Sequence, residues 1–150
     1  MSSARQNNFH FESVQLTAFR FQHEHGAEPD EGWVFDVTLK REVLDVVTAE
    51  TGDARVAVKL AVTVVWNQQP GPFSLEVESV GLFTCSGGLH SEVMRNMCSV
   101  HAPALIYSQI RTLVRMMVGE GGHPGFMLPL INVAEHFRDQ PVELPEQIEG

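Results

Sequence analysis

The feature that most constrains the fold is a run of alternating apolar residues in the first half of the chain. From Val56 to Trp66 every second residue is apolar, whereas Arg55, Lys59 and Thr63 occupy the opposite parity. Successive side chains of a β-strand point to opposite faces of the sheet. The pattern therefore predicts a long strand with one buried face.

Two shorter runs repeat the alternation on either side of this strand, at residues 33–39 and 73–77. Residues 67–72 separate the second run from the long strand. They contain proline and glycine, which cannot extend a strand ladder, so we predict a hairpin there. The apolar residues of segment 9–21 change parity twice. Because each change would turn them to the other face unless a bulge intervened, we predict a long first strand with one or two bulges.

The second half of the chain changes to helical spacing. One stripe joins apolar residues that are four, three and four positions apart, namely Ile106, Ile110, Leu113 and Met117. Residues 89–98 are predicted to form a shorter helix before it, and Asn132 is predicted to cap a last helix. Strands followed by helices indicate an α+β fold with an antiparallel sheet.

The length of 150 residues fits one domain, which we place at residues 1–140, followed by an acidic, proline-containing tail at 141–150 that we expect to be flexible. The helical stripe, added to two faces of a sheet, is more apolar surface than a monomer of this size readily hides. We therefore predict a closed homo-oligomer in which the sheet edge or the stripe is buried between subunits.

The charge balance restricts the partners. The chain has 19 acidic and 10 basic residues and a formal net charge of -9, which repels phosphate backbones and argues against nucleic acid as a partner. No apolar stretch approaches the length needed to span a bilayer, and the first residues lack the apolar core of a secretory signal. We therefore expect no membrane insertion, a cytoplasmic location, and reduced, buried thiols at Cys85 and Cys98.

Signatures of catalysis are largely absent from the sequence. Cys85 and Cys98 lack a CxxC arrangement, and the glycine pair at residues 87–88 lacks the lysine of a phosphate loop. His23 and His25 would share one face of an extended segment, as two metal ligands must, but no third or fourth ligand follows at a suitable spacing. The alternative is a solvated loop edge, and we expect no enzyme activity, no cofactor and no metal.

Three stretches carry a family resemblance through their order and spacing. They are the hairpin residues 60–64, 73–78 and 81–83; the helix entry formed by Cys98, residues 102–107, Arg111, Val114 and Met117; and the glycine- and proline-containing segment 122–133 that leads into the asparagine-capped helix. Together they resemble the SecB family of protein-export chaperones over roughly residues 9 to 137. None of the three stretches is diagnostic alone.

The resemblance implies a four-stranded antiparallel sheet packed with C-terminal helices, assembled as a dimer of dimers. It also implies apolar grooves that hold unfolded preproteins without ATP and keep them competent for export. In this sequence Trp33 matches a family tryptophan before the second strand, and Phe73 and Leu75 lie on the apolar parity of the hairpin. We take these three as candidate client-binding residues; plain core packing is the alternative for each.

Glu76 matches an acidic family position on the solvent face of the sheet, where the translocation motor SecA docks, although one exposed glutamate also serves solubility. Ala18 and Gln22 stand where the family carries acidic residues on the first strand. This departure leaves open a second hypothesis for the function, a SecB-like chaperone dedicated to one client such as an antitoxin. A small-molecule-binding domain is a third hypothesis, but it requires convergent polar residues within the groove.

Overall fold

The computed structural model describes residues 9–24, 33–48, 50, 53–85, 91–140, 142 and 148–149. The elements follow the predicted order of strands and then helices. They are β1 (Phe9–His23), β2 (Phe35–Thr48), β3 (Ala54–Trp66), β4 (Phe73–Cys85), α1 (Ser91–Asn96), a π-helical turn (Met97–His101), α2 (Ala102–Glu120), α3 (Val133–His136) and β5 (Ile148–Glu149).

The strands form one sheet in the order β1-β4-β3-β2-β5. The pairs β1–β4, β4–β3 and β3–β2 are antiparallel, whereas β5 pairs in parallel with Val47 and Thr48 at the end of β2. The predicted α+β fold with a four-stranded antiparallel sheet and C-terminal helices is confirmed, and β5 adds a two-residue strand at the β2 edge.

The hairpin of β3 and β4 forms the centre of the sheet. In both strands every second side chain is buried, from Ala54 to Val64 and from Phe73 to Cys85. The turn between them requires a residue without a side chain, because a Cβ at Gly71 would lie 2.2 Å from the Trp66 ring. The predicted hairpin is therefore confirmed, with alternating residues in both strands and a glycine in the turn between them.

Strand β1 contains two register shifts, between Phe11 and Ser13 and between Leu16 and Ala18. The shifts bring the large apolar residues Phe11, Val14, Leu16, Phe19 and Phe21 to a single face. Their partners on β4 belong to one buried row, formed by Phe83, Gly81, Ser79, Val77 and Leu75. The predicted bulges are therefore confirmed, and they explain why the apolar pattern of this segment changes parity while its large apolar side chains keep to one face, where Phe11 and Leu16 remain 44% and 45% exposed.

Helix α2 packs across the inner face of the sheet. Its fully buried side includes Ile106, Ile110, Val114 and Val118, and Gly81 leaves the room for it, since a Cβ there would lie 3.0 Å from Ile106. Asn132 caps α3 by accepting a hydrogen bond from the backbone N–H of Glu135 at 3.1 Å, as predicted.

The stripe predicted for a subunit interface divides into two parts. Ile106 and Ile110 are 0% and 1% exposed in the core of the single chain, so they are not available to a second subunit in this structure. Leu113 is half-buried and Met117 is 42% exposed, which leaves these two as the interface candidates. The helical spacing therefore joined two core residues to two residues whose place in an interface stays a prediction.

Two parts of the predicted tail contact the domain. Val142 is buried with the core, and Ile148–Glu149 pair with β2. The other residues of segment 141–150 lie outside the described residues, so the division into a domain and a flexible tail stays a prediction. Within the described residues, no helix has the length and apolarity required to cross a membrane.

Candidate functional site

A group of aromatic side chains lies at the end of the sheet where the β3–β4 hairpin turns. It consists of Trp33, Phe35, Trp66, Phe73 and Phe126, and we call it the aromatic cluster. Its neighbouring ring centroids are 4.9 to 6.2 Å apart, a range in which aromatic pairs attract beyond their area of contact. Three strands and the loop after α2 each contribute to it.

The aromatic cluster has a buried centre and a partly open outer part. Phe73 is 2% exposed, whereas Trp33, Phe35, Trp66 and Phe126 are half-buried. The indole N–H of Trp66 donates to the carbonyl of Phe73 at 2.7 Å and so fixes the orientation of that ring. The Trp66 indole N–H is therefore already hydrogen-bonded within the protein, and the accessible surface of these rings is mainly apolar.

Exposed aliphatic side chains follow the cluster residues in the chain. Val34 lies between Trp33 and Phe35 and is 61% exposed, and Met127, next to Phe126, is 47% exposed. Leu130 is 84% exposed. Val34 has the strand parity opposite to that of Trp33 and Phe35 and so points away from the aromatic cluster, whereas Met127 adjoins Phe126 on the same loop.

The loop that carries Phe126 is held against α2 by two hydrogen bonds. The Tyr107 hydroxyl donates to the carbonyl of Pro129 at 2.6 Å, and Arg111 Nε donates to the carbonyl of Leu128 at 3.1 Å. Burial raises the pKa of Tyr107 to about 12, although the nearby Arg111 lowers it, so the hydroxyl keeps its proton at neutral pH. The loop is thus anchored while its apolar side chains remain partly open.

The three predicted client-binding residues have different surroundings. Trp33 is half-buried in the aromatic cluster, 6.0 Å from Trp66. Phe73 and Leu75 are each 2% exposed and pack in the core, the alternative that the sequence left open. Direct contact of a client with these two would require the sheet and its covering residues to separate. Their role in binding stays a prediction, and Trp33 is the accessible one of the three.

Sequence reasoning did not single out Trp66, Phe35 and Phe126 as site residues. Two signals were present. Phe35 and Trp66 are register partners at the ends of β2 and β3, and Phe126 falls within the glycine- and proline-containing segment after α2. Aromatic residues concentrated at one end of several predicted strands indicate a shared surface once the pairing of those strands is known.

Next to the aromatic cluster, two histidines contact each other. His23 Nδ1 lies 2.8 Å from His123 Nε2, and the His123 ring packs 4.7 Å from Phe73. Burial, and secondly the neighbouring His23, lower the pKa of His123. Among the described residues no group of three or more metal-ligating side chains occurs; the predicted partner His25 lies outside them.

Glu76 lies on the face of the sheet opposite to the helices, as its parity predicts, and is not an isolated charge. Its Oε1 lies 3.3 Å from Arg20 Nη1 on the neighbouring strand. On the same face Lys59 pairs with Glu42 at 3.3 Å. Ion pairs of this kind add little stability, but they offset the negative charge that a basic partner would recognise.

The two cysteines are unsuited to nucleophilic chemistry. Cys85 and Cys98 are buried and not joined to each other. Burial raises their pKa values to about 11 and about 12, so both stay protonated thiols at neutral pH. They act here as small apolar core residues.

Comparisons with known proteins agree with this architecture. A SecB-like chaperone from Mycobacterium tuberculosis, solved in complex with a ChAD peptide from the HigA1 antitoxin, has a TM-score of 0.64 and 15% sequence identity, covering 83% of this chain and 91% of that one. A protein of unknown function from Streptococcus agalactiae has a TM-score of 0.50 and 12% identity, covering 81% and 97%. No match was found among curated proteins.

The family comparison covers β2 through α3. The model for the preprotein translocase subunit SecB matches residues 35–143. The matched region includes the hairpin, α2 and every member of the aromatic cluster except Trp33. Because the match extends over more than half of the chain, the chain belongs to the SecB family.

Proposed function

We propose that this protein is an ATP-independent chaperone that binds unfolded polypeptides and keeps them from folding, and that it has no enzyme activity. The observation that carries the proposal is the aromatic cluster, four of whose five rings are only half-buried. Membership of the SecB family supports a chaperone role. A holdase needs only such a surface, because binding the unfolded state alone shifts the folding equilibrium away from the native client.

Apolar contact is the expected source of affinity. Four partly open aromatic rings offer large, rigid surfaces at little cost in side-chain entropy, and methionines such as Met127 adapt to varied partners. Recognition would then depend on exposed apolar side chains of the client and not on a fixed sequence. Folded proteins bury most such side chains and should bind poorly.

An export role requires a second partner in addition to the client. SecA would recognise acidic residues on the open face of the sheet, and Glu76 is the candidate. Its pairing with Arg20, and that of Glu42 with Lys59, favours a second candidate function, a chaperone dedicated to one client. The similar structure from Mycobacterium tuberculosis holds a peptide from an antitoxin, which suggests the class of such a client.

Assembly into a homo-oligomer, in the form of a dimer of dimers, belongs to the same proposal. Met116 and Met117 at the C-terminal half of α2 are 65% and 42% exposed, and Phe11 and Leu16 of β1 are 44% and 45% exposed. A second subunit covering them would remove apolar surface that a monomer leaves in water. We place the assembly in the cytoplasm, where reduced thiols and unfolded preproteins are both found.

A titration with one protein in two states tests the chaperone proposal. A reduced and alkylated protein that cannot refold should bind, whereas the same protein in its native, disulfide-bonded state should not. Calorimetry should show a negative heat-capacity change for the unfolded form, as burial of apolar surface requires. Equal binding of both forms, or of neither, would refute the proposal.

A further inference from the structure

Strand β2 lies at one side of the sheet and is covered by another strand only at its end. In the order β1-β4-β3-β2-β5, β5 pairs with Val47 and Thr48 alone. Within the described residues, the backbone of β2 from Phe35 to Val46 therefore has a strand partner on the β3 side only. Backbone N–H and C=O groups along such an edge can pair with another extended chain.

This edge connects the aromatic cluster with a cavity. Phe35, the first residue of β2, belongs to the cluster, and a cavity of about 360 Å³ lies beside residues 39–43. Consecutive residues of a strand point to opposite faces, so a cavity lined by this whole run lies along the edge of the strand. An extended polypeptide that contacts the cluster would meet the cavity next, and then the end of β2 after about a dozen residues, at about 3.3 Å per residue.

Residues near the C-terminus of the chain contact this edge at two places. Val142 is 8% exposed, belongs to the hydrophobic core and lines the cavity together with Gln140. Ile148–Glu149 form β5 at the far end of the edge. The chain's own residues therefore occupy part of the course that an added strand would follow along β2.

The two contacts differ in strength. Burial of Val142 removes an apolar side chain from water. Strand β5, in contrast, has two residues and pairs in parallel, the arrangement that is less stable per residue. Few hydrogen bonds hold it, so a longer strand that makes more of them can displace it.

We propose that β5 competes with bound polypeptides for the edge of β2. A long unfolded client would contact the aromatic cluster, pair with β2 as an added strand and displace β5 where it reaches Val47. The inference rests on the function proposed above and adds a regulation to it. Strand addition supplies affinity through main-chain hydrogen bonds, which suits clients of varied sequence. Competition by β5 lowers the affinity for segments that reach the end of β2 and so favours their release, whereas shorter segments bind unaffected.

A disulfide that fixes β5 on β2 tests the competition. Val47 and Ile148 are register partners on strands about 4.8 Å apart, a separation at which a disulfide can form. When Val47→Cys is combined with Ile148→Cys, the oxidised protein keeps β5 in place and the reduced protein lets it leave. The native thiols of Cys85 and Cys98 do not interfere, because burial raises their pKa values to about 11 and about 12 and keeps them protonated.

Two unfolded, cysteine-free peptides of apolar character serve as clients. One of about 15 residues is long enough to follow all of β2, and a fragment of about five residues covers only the aromatic cluster. The oxidised protein should bind the long peptide about fivefold more weakly than the reduced protein does, and the short peptide equally well. Equal binding of the long peptide in both states overturns the inference. So does weaker binding of both peptides, because the disulfide would then disturb the cluster itself, and so does a cysteine pair that forms no disulfide.

Ile148→Pro makes the opposite change without a disulfide. Proline removes a backbone N–H and weakens a strand, so the long peptide should bind about threefold more tightly than it binds the wild-type protein. Ile148→Val keeps the N–H and a β-branched side chain and should bind like the wild type. Unchanged affinity in Ile148→Pro contradicts the role of β5 alone, whereas wild-type protein that binds neither peptide contradicts the chaperone proposal itself.

Discussion

His23 and His123 share a hydrogen bond across the boundary between β1 and the loop after α2, with 2.8 Å between Nδ1 and Nε2. Such a bond needs a hydrogen on one ring nitrogen and a free lone pair on the other, so at least one imidazole must be neutral. The pair lies against Phe73, the buried centre of the aromatic cluster. Protonation of the pair would therefore act on the loop that carries Phe126.

We predict that stability falls as the pH drops below about 6.5. The pKa of His123 is lowered from its ordinary value of 6.5 in the folded chain, so the unfolded chain takes up the proton first. The free energy of unfolding is then highest above pH 6.5, decreases as the pH falls from 6.5 through the folded-state pKa, and stays constant below that pKa. Thermal melting across this range should show the decline.

His123→Gln should flatten the dependence of the melting temperature on pH, whereas His10→Gln at the opposite end of β1 should not. An unchanged pH dependence in His123→Gln would contradict the assignment to His123.

The strands were predictable because their signal is local. Alternation over 13 residues in β3 and the glycine- and proline-containing turn leave few other structures for the hairpin. The two bulges of β1 were predictable from its changes of parity for the same reason. The buried face of α2 was harder to predict, because the apolar residues from Ile106 to Met117 extend around the helix. Only the position of the sheet decides which of them are buried.

The candidate site was hardest to predict because its members come from distant parts of the chain. Phe126 meets Phe35 only because α2 returns the chain across the sheet, and His23 meets His123 by the same route.

Chelators should leave the protein unchanged. His23 and His123 offer two imidazoles, and the described residues contain no cluster of three ligands, whereas structural zinc sites use four. We expect the same melting temperature with and without a strong chelator, and the same affinity for an unfolded client. A melting temperature that drops on chelation and returns with added zinc would show that ligands outside the described residues complete a site.

The two halves of the predicted interface stripe should respond differently to mutation. Ile106→Ala removes fully buried atoms and should destabilise the subunit by about 2–5 kcal/mol without changing its assembly. Met117→Glu should barely affect subunit stability, because Met117 is exposed, but it should lower the mass seen by light scattering if α2 contacts a second subunit. Ser108→Glu, about two and a half turns earlier on the opposite side of α2, is the charge-matched control. A wild-type monomer at micromolar concentration would contradict the predicted assembly altogether.

Trp33→Ala should weaken the binding of unfolded polypeptides by about tenfold or more while the fold remains intact, since partly open tryptophans often dominate binding energy. Trp33 lies 6.0 Å from Trp66 in the half-buried outer part of the aromatic cluster, whereas Phe73 fills its centre, so removal of Trp33 should not open the core. Glu76→Ala changes the opposite face of the sheet and should spare client binding. Titrations followed by tryptophan fluorescence need Trp66→Phe as a background, because Trp66 lies in the same cluster and would report the same event. If Glu76→Ala abolishes binding and Trp33→Ala leaves it unchanged, clients bind the other face of the sheet and the aromatic cluster serves only the core.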